Sequence, residues 1–219
     1  MEKANLNVIE TITKGVTIGV KNFPSLVVAA ILYVLTVWIP YINVGTTIAM
    51  QTLPGRLAKG DVISPAFIFD SKYRDDFSAY FLLCAFVYLS IIIGILFGYI
   101  PGIVIAVSMS LAVLILIDDK VSPTDAMKLS NEATKGYKWM IFLIHVVFAV
   151  AVFIGYLIVS GIASIFDSES FTAILLIAYT ALLLPFNLGI TSVIYRVLYL
   201  DRKETPKDCA EETGGLAEA

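Results

Sequence analysis

Charge is what this chain has least of. Only 15% of its 219 residues are Asp, Glu, Lys or Arg, against about 25% in soluble domains. The charges present are also clustered, with none in 22–55, 77–117, 139–166 or 170–195. These four stretches make up more than half of the chain. Each is long enough for the about 20 apolar residues that cross a bilayer as a helix. That pattern excludes a soluble enzyme, a nucleic-acid binder and a β-barrel. Cysteine is scarce as well. Cys84 falls in an apolar stretch and Cys209 in a polar tail, so no disulfide is expected and a disulfide scaffold is excluded. There is one histidine, His145, and no carboxylate inside an apolar stretch. No metal-ligating pair, phosphate loop or Ser/His/Asp set can be assembled from what remains. The chain reads as a non-enzyme without a cofactor. Residues 1–21 interleave Glu2, Lys3, Glu10, Lys14 and Lys21 with apolar residues, so they lack the apolar core of a secretory signal.

What is present is a polytopic all-α membrane bundle. The first uncharged stretch holds Trp38-Ile39-Pro40-Tyr41 near its middle, and the second holds Gly98-Tyr99-Ile100-Pro101-Gly102. A single helix over 77–117 would be roughly 60 Å long, twice the hydrocarbon core. It must fold back, and Pro-Gly marks the turn. Spans are therefore expected at about 23–39, 41–55, 77–99, 101–117, 138–165 and 171–198. A single first helix kinked at Pro40 is the alternative. Six spans put all 15 basic residues on one face or at its boundary, which the positive-inside bias favours. Both termini are then cytoplasmic. Trp38, Tyr41, Tyr99, Phe166 and Phe171 would form the outer aromatic belt. Tyr73, Tyr80, Tyr137, Trp139 and Tyr199 would form the inner one.

Short interfacial helices are expected as well. Leu6, Ile9, Ile12 and Val16 recur at helical spacing, as in a helix lying on the membrane at about 5–20. Ser122-Pro123 with Asp125 is an N-cap followed by proline at the first helical position. It predicts a surface helix over 123–135 that ends at Gly136. Another helix can start at Pro65, with Phe67 and Ile68 dipping into the interface. The tail 201–219 carries Asp201, Glu204, Asp208, Glu211, Glu212 and Glu218 with Pro206, Gly214 and Gly215. It is expected to be a disordered cytoplasmic tail.

Polar residues inside the apolar stretches mark the candidate site. Asn43, Thr46, Thr47 and Gln51 lie on the second span, and Asn187, Thr191 and Ser192 lie on the sixth. Amides in hydrocarbon need partners, so these residues should face inward. They then form either a polar route between the two spans or interhelical hydrogen bonds. Pro40 to Thr47 resembles Pro185 to Thr191, and Ile12 to Gly15 resembles Ala133 to Gly136. An internal repeat, of the kind seen in transporters, competes here with coincidence. His145 is either a proton-sensitive group or a neutral histidine bonded to a neighbour. Gly94, Gly98, Gly102, Ala106 and Ser110 space small residues along the third and fourth spans, as in close helix packing. Ser160 and Ser164 make a further small pair. Asp118-Asp119-Lys120 reads as a solvated helix end, with cation binding as the alternative.

Ile100-Pro101-Gly102-Ile103, Asp118, Val121-Ser122-Pro123, Asp125-Ala126, Leu129-Ser130 and Thr134-Lys135-Gly136 occur in that order. The run resembles a group of prokaryotic six-helix integral membrane proteins. Among them are the DUF975-like proteins and the membrane domain attached to some glycerophosphodiester phosphodiesterases. The resemblance extends over about 5–200, and its specific part is 100–136. It implies the six-span topology and the plasma membrane of a bacterium or archaeon, and it implies no activity. The functional expectation is a small channel or transporter-like protein. The alternative is a non-transporting scaffold or accessory subunit. The bilayer is the expected partner, with a second copy or a membrane protein left open.

Overall fold

The computed structural model describes residues 6–203 other than 37, 62 and 164–168. Every regular element among them is helical. The helices are α1 Val8–Lys21, α2 Phe23–Thr36, α3 Pro40–Lys59, α4 Lys72–Asp75, α5 Phe77–Phe97, α6 Tyr99–Ser108, α7 Ala112–Asp119, α8 Pro123–Thr134, α9 Lys138–Ala163 and α10 Glu169–Tyr195. A 3-10 turn occupies Pro65–Phe69, and a π-helical segment over Arg196–Leu200 extends α10.

Four helical stretches are long and apolar enough to cross a bilayer: Phe77–Phe97, Tyr99–Asp119, Lys138–Ala163 and Ser170–Lys203. The pair α1 and α2, bent by 75° at Asn22, makes a fifth if it is counted as one span. Their surfaces fit that environment. On α5 only Leu83 and Gly94 are buried, while residues such as Leu96 and Phe97 face outward. Contiguous exposed apolar side chains of this kind mark contact with a membrane or with another protein. Among the described residues the protein is thus all-helical, with four or five apolar helices that could cross a membrane.

The expected turn at Trp38-Ile39-Pro40 is present. It separates two helices, so the single kinked helix is excluded. Pro40 occupies the first turn of α3, where its missing N–H costs nothing. The six-span count does not follow, however. At 14 residues, α2 is about 21 Å long, short of the hydrocarbon thickness. Arg56 and Lys59 lie within α3, whose Ile48, Ala49, Leu53 and Leu57 are buried in protein. A Cβ placed on Gly45, in the second turn of α3, would touch Cγ of Arg74 at 3.0 Å. The charged loop after α3 thus returns almost to the Pro40 end. A helix with its two ends on opposite membrane faces would keep these groups apart.

That loop fills the space beside the α2–α3 hairpin. Phe67, Ile68 and Tyr73 are buried against it, and the Arg56 guanidinium lies 5.4 Å from the Phe67 ring centroid. Phe67 and Ile68 therefore enter the protein rather than the membrane interface. Tyr73, 2% exposed, is a core residue and not part of an aromatic belt. Trp38 at the hairpin tip stays 85% exposed.

Helix α1 packs closely against α10, and its apolar stripe is only partly used, Leu6 and Ile12 joining the core. Its buried positions are Thr11, Gly15 and Gly19, one turn apart, while Ile9 is 77% exposed. A Cβ on Gly15 would meet Cα of Ile190 at 2.6 Å, and one on Gly19 the carbonyl oxygen of Pro185 at 2.8 Å. Small residues four apart let two helix backbones touch.

The α5–α6 hairpin is as tight. A Cβ on Gly94 would lie 3.0 Å from Cα of Gly102. Gly98 has another task. Its φ of 142° makes the turn, and its Cβ direction meets only Pro101 at 3.5 Å. Ala106 is half-buried, and Ser110 is exposed, donating to the Val107 carbonyl. The close backbone approach of the small-residue row is made by Gly94 and Gly102. Ser164 lies outside the described residues.

Between α6 and α7 the helix breaks at Met109–Leu111. Ser130 of α8 closes the gap. Its Oγ donates to the Ser108 carbonyl at 2.7 Å and accepts from the Leu111 N–H at 3.3 Å. Helix α8 begins as expected, with the Ser122 hydroxyl accepting from the Asp125 N–H at 3.2 Å. Gly136 follows it at φ 87°. Ala126, Ser130, Ala133 and Thr134 bury one of its faces.

Candidate functional site

The polar residues of α3 and α10 do not form one continuous file. Thr47, Gln51 and Asn187 share an open cleft of about 520 Å³ with Tyr33, Thr180 and the apolar side chains of Met50, Phe148, Val152, Leu183, Leu184 and Leu188. The residues belong to four helices. Those of α2 and α3 form one wall, those of α9 the other, and α10 packs against both. Thr47 Oγ1 donates to Asn43 Oδ1 at 2.9 Å and lies 3.4 Å from the Tyr33 hydroxyl. Asn43 thus supports the wall from behind and does not line the cleft. The Thr180 hydroxyl donates to the Ile177 carbonyl at 2.9 Å, within its own helix.

Two side chains in this cleft differ from the rest. Among the described residues the side-chain amides of Gln51 and Asn187 have no protein hydrogen-bond partner, and both residues are exposed to the cleft. An amide in an apolar medium without a partner costs about 2–7 kcal/mol. Water or a polar solute in the cleft removes that cost. No titratable side chain other than the Tyr33 phenol lines it, so its chemistry is that of neutral donors and acceptors above an aliphatic wall.

The remaining candidates lie elsewhere. Thr191 Oγ1 donates to the Asn187 carbonyl at 3.0 Å. Ser192 is fully buried and donates to the Gly189 carbonyl at 2.7 Å, facing a different cavity beside α1. Thr46 bonds carbonyls of its own helix and approaches Thr36 Oγ1 at 3.4 Å, joining α2 to α3. His145 is exposed on α9, and its Nδ1 lies 2.8 Å from the Ile141 carbonyl. A carbonyl only accepts, so Nδ1 carries the proton and bonds one turn back. The Pro/Asn/Gly similarity has no structural counterpart. Pro40 starts α3, whereas Pro185 sits inside α10. Gly15 is mid-helix, whereas Gly136 is a loop residue at φ 87°.

A second polar cluster was missed in the sequence. Asp118 and Asp119, at the end of α7, are not a solvated helix end, because their side chains are only 17% exposed. Asp118 accepts from the Tyr195 hydroxyl at 2.8 Å and pairs with Lys59 Nζ at 2.9 Å. Asp119 pairs with Lys203 Nζ at 2.6 Å and accepts from the Tyr199 hydroxyl. Tyr195 and Tyr199 stack with ring centroids 5.5 Å apart. The π-helical turn after Tyr195 gives the register that points both rings at α7. Four basic or phenolic groups thus satisfy two carboxylates and tie together the ends of α3, α7 and α10. All but the aspartates themselves lie far off in sequence, which is why the local pattern gave no sign of them.

Compared with protein-family models, curated proteins and solved structures, the chain matches none of them. No family is assigned, and the site stands on its own residues.

Proposed function

We propose that this protein is a small transporter-like membrane protein that takes up a neutral polar solute in the cleft between the α2–α3 hairpin, α9 and α10. The observation that carries the reading is the pair of unpartnered amides, Gln51 and Asn187, in one apolar-walled cleft. Neutral amides and hydroxyls replace part of a solute's hydration without fixing a charge. With no carboxylate or cation in the cleft, coupling to an ion gradient is not part of this reading.

The topology that accompanies it has four full spans, α5, α6–α7, α9 and α10. The α2–α3 hairpin enters from the charged end and turns back within the bilayer. A hairpin adds an even number of crossings, so the basic loops stay on one side and both chain ends remain cytoplasmic in a bacterial or archaeal plasma membrane. Short helices that stop inside the membrane are tolerated where they border a cavity, and here α2 and α3 border the cleft.

The test is flux in proteoliposomes. The full chain should pass urea, glycerol or formamide faster than empty vesicles. The double variant Gln51→Leu/Asn187→Leu should lose that flux while keeping the wild-type elution profile and helix content. No flux of any of these solutes through the wild type would leave the scaffold reading as the better one.

A further inference from the structure

At the charged end of the molecule a second cavity, of about 480 Å³, opens between α1, the end of α3 and the end of α10. It shares no residue with the cleft, and its interpretation does not depend on that of the cleft. Its lining is divided by chemistry. Lys14 and Arg196 supply two cations, and Asp201 is the one carboxylate among the lining residues. Ile18, Ala58, Val193 and Val197 supply an aliphatic wall, and Thr13, Thr17 and Ser192 lie between. The three hydroxyls donate into carbonyls of their own helices at 2.7–2.8 Å, so attraction for a ligand rests on the cations.

Neither cation is tightly held. Lys14 pairs with Glu10 at 2.7 Å, one turn back on an exposed surface. Arg196 approaches Asp201 only through Nε, at 3.7 Å, beyond hydrogen-bond reach. Exposed pairs of this kind are worth about 0–1 kcal/mol. A guanidinium binds a phosphate by two parallel hydrogen bonds and gains more from it. The place matters as much as the composition. Val193 and Val197 belong to the helical stretch Ser170–Lys203, which is apolar enough to cross a bilayer, and Arg196 sits in its last turns with Lys14 of α1 beside it. Basic pockets between helices at this level suit anionic lipid headgroups.

We infer that this cavity binds a phosphate-bearing anion, and that its occupant is an anionic phospholipid. The headgroup phosphate lies between Lys14 and Arg196, and the first part of an acyl chain lies along Ile18, Val193 and Val197. A soluble phosphate offers the same charge but has no use for the aliphatic wall.

The experiment uses the full chain, delipidated in a neutral detergent. Phosphatidylglycerol, phosphatidylcholine and inorganic phosphate are titrated separately. Retained adducts are counted by native mass spectrometry and the thermal midpoint is followed in parallel. Phosphatidylglycerol should bind one to one, more tightly than phosphatidylcholine, and raise the midpoint. The variant Lys14→Gln/Arg196→Gln should weaken it about tenfold or more. Thr17→Glu sets a like charge in the cavity while leaving both cations in place, and it should weaken binding as well. That single variant decides the matter if the double variant does not fold. Equal phosphatidylglycerol affinity in the wild type and Thr17→Glu would overturn the site. Stabilisation by inorganic phosphate, with phosphatidylglycerol no better than phosphatidylcholine, would overturn the lipid as occupant.

Discussion

Single side chains hold this fold at points where the backbone is interrupted. Ser130 is the clearest case. Its one hydroxyl serves a carbonyl and an amide freed by the break between α6 and α7, and both bonds are buried. Ser130→Ala leaves two backbone groups without partners, at a cost of about 1–3 kcal/mol for each unsatisfied group. The expected result is a lower midpoint in thermal or SDS unfolding. An unchanged midpoint would mean that water replaces the hydroxyl. Gly98 and Gly94 show how alike two glycines look in sequence. Both fit the small-residue spacing, yet one supplies a left-handed turn and the other a helix contact. Spacing alone does not separate these roles, because it carries no φ. The Gly15/Gly19 pair was equally visible. The apolar stripe of Leu6, Ile9, Ile12 and Val16 is the stronger signal in sequence, yet Ile9 is exposed and the two glycines are the buried positions.

At the scale of elements, what local rules govern was legible. The Pro-Gly turn, the Ser122 cap, the end of α8 at Gly136 and most helix limits came within a few residues of the expected positions. These features depend on neighbours within one turn of chain. What needed a partner helix was not legible. Examples are the burial of α3, the inward face of α8 and the two tyrosines on Asp118 and Asp119. Helix α8 also gives a pH dependence. The Ser122 hydroxyl bonded to the Asp125 carboxylate, helped by nearby Lys128, holds that carboxyl below the usual range. A lowered pKa in the folded state means stability that is present above the unfolded value, near 4. It is lost as pH falls through the lowered value. Amide hydrogen exchange in the first turn of α8 should therefore quicken in acid. Asp125→Asn should remove that acid limb. An identical acid limb in the variant would assign it to another carboxylate.

For the whole molecule, an all-helical chain with several helices apolar enough to cross a bilayer was readable from charge spacing, and six spans are not confirmed: four helices qualify, or five with the bent α1–α2 pair. Hydropathy cannot distinguish a helix surrounded by lipid from one surrounded by protein, and α3 is of the second kind. Nor does it show that Arg74 returns to Gly45. The hairpin reading makes a direct prediction. A lone cysteine replacing Trp38 should resist a membrane-impermeant thiol reagent applied to the extracytoplasmic face, where a six-span chain would label readily.

The central claim, that the cleft is a polar, water-accessible site inside an apolar bundle, is tested most directly by reactivity at Gln51. In a chain with Cys84 and Cys209 replaced, a single Gln51→Cys is compared with Phe153→Cys, which sits on the exposed apolar face of α9. Methanethiosulfonates react with thiolates, and a thiol bathed in lipid does not ionise. The account predicts rapid modification at position 51, slowed by any solute that the protein carries, and no modification at position 153. Silence at both positions would mean that lipid fills the cleft, contradicting the account.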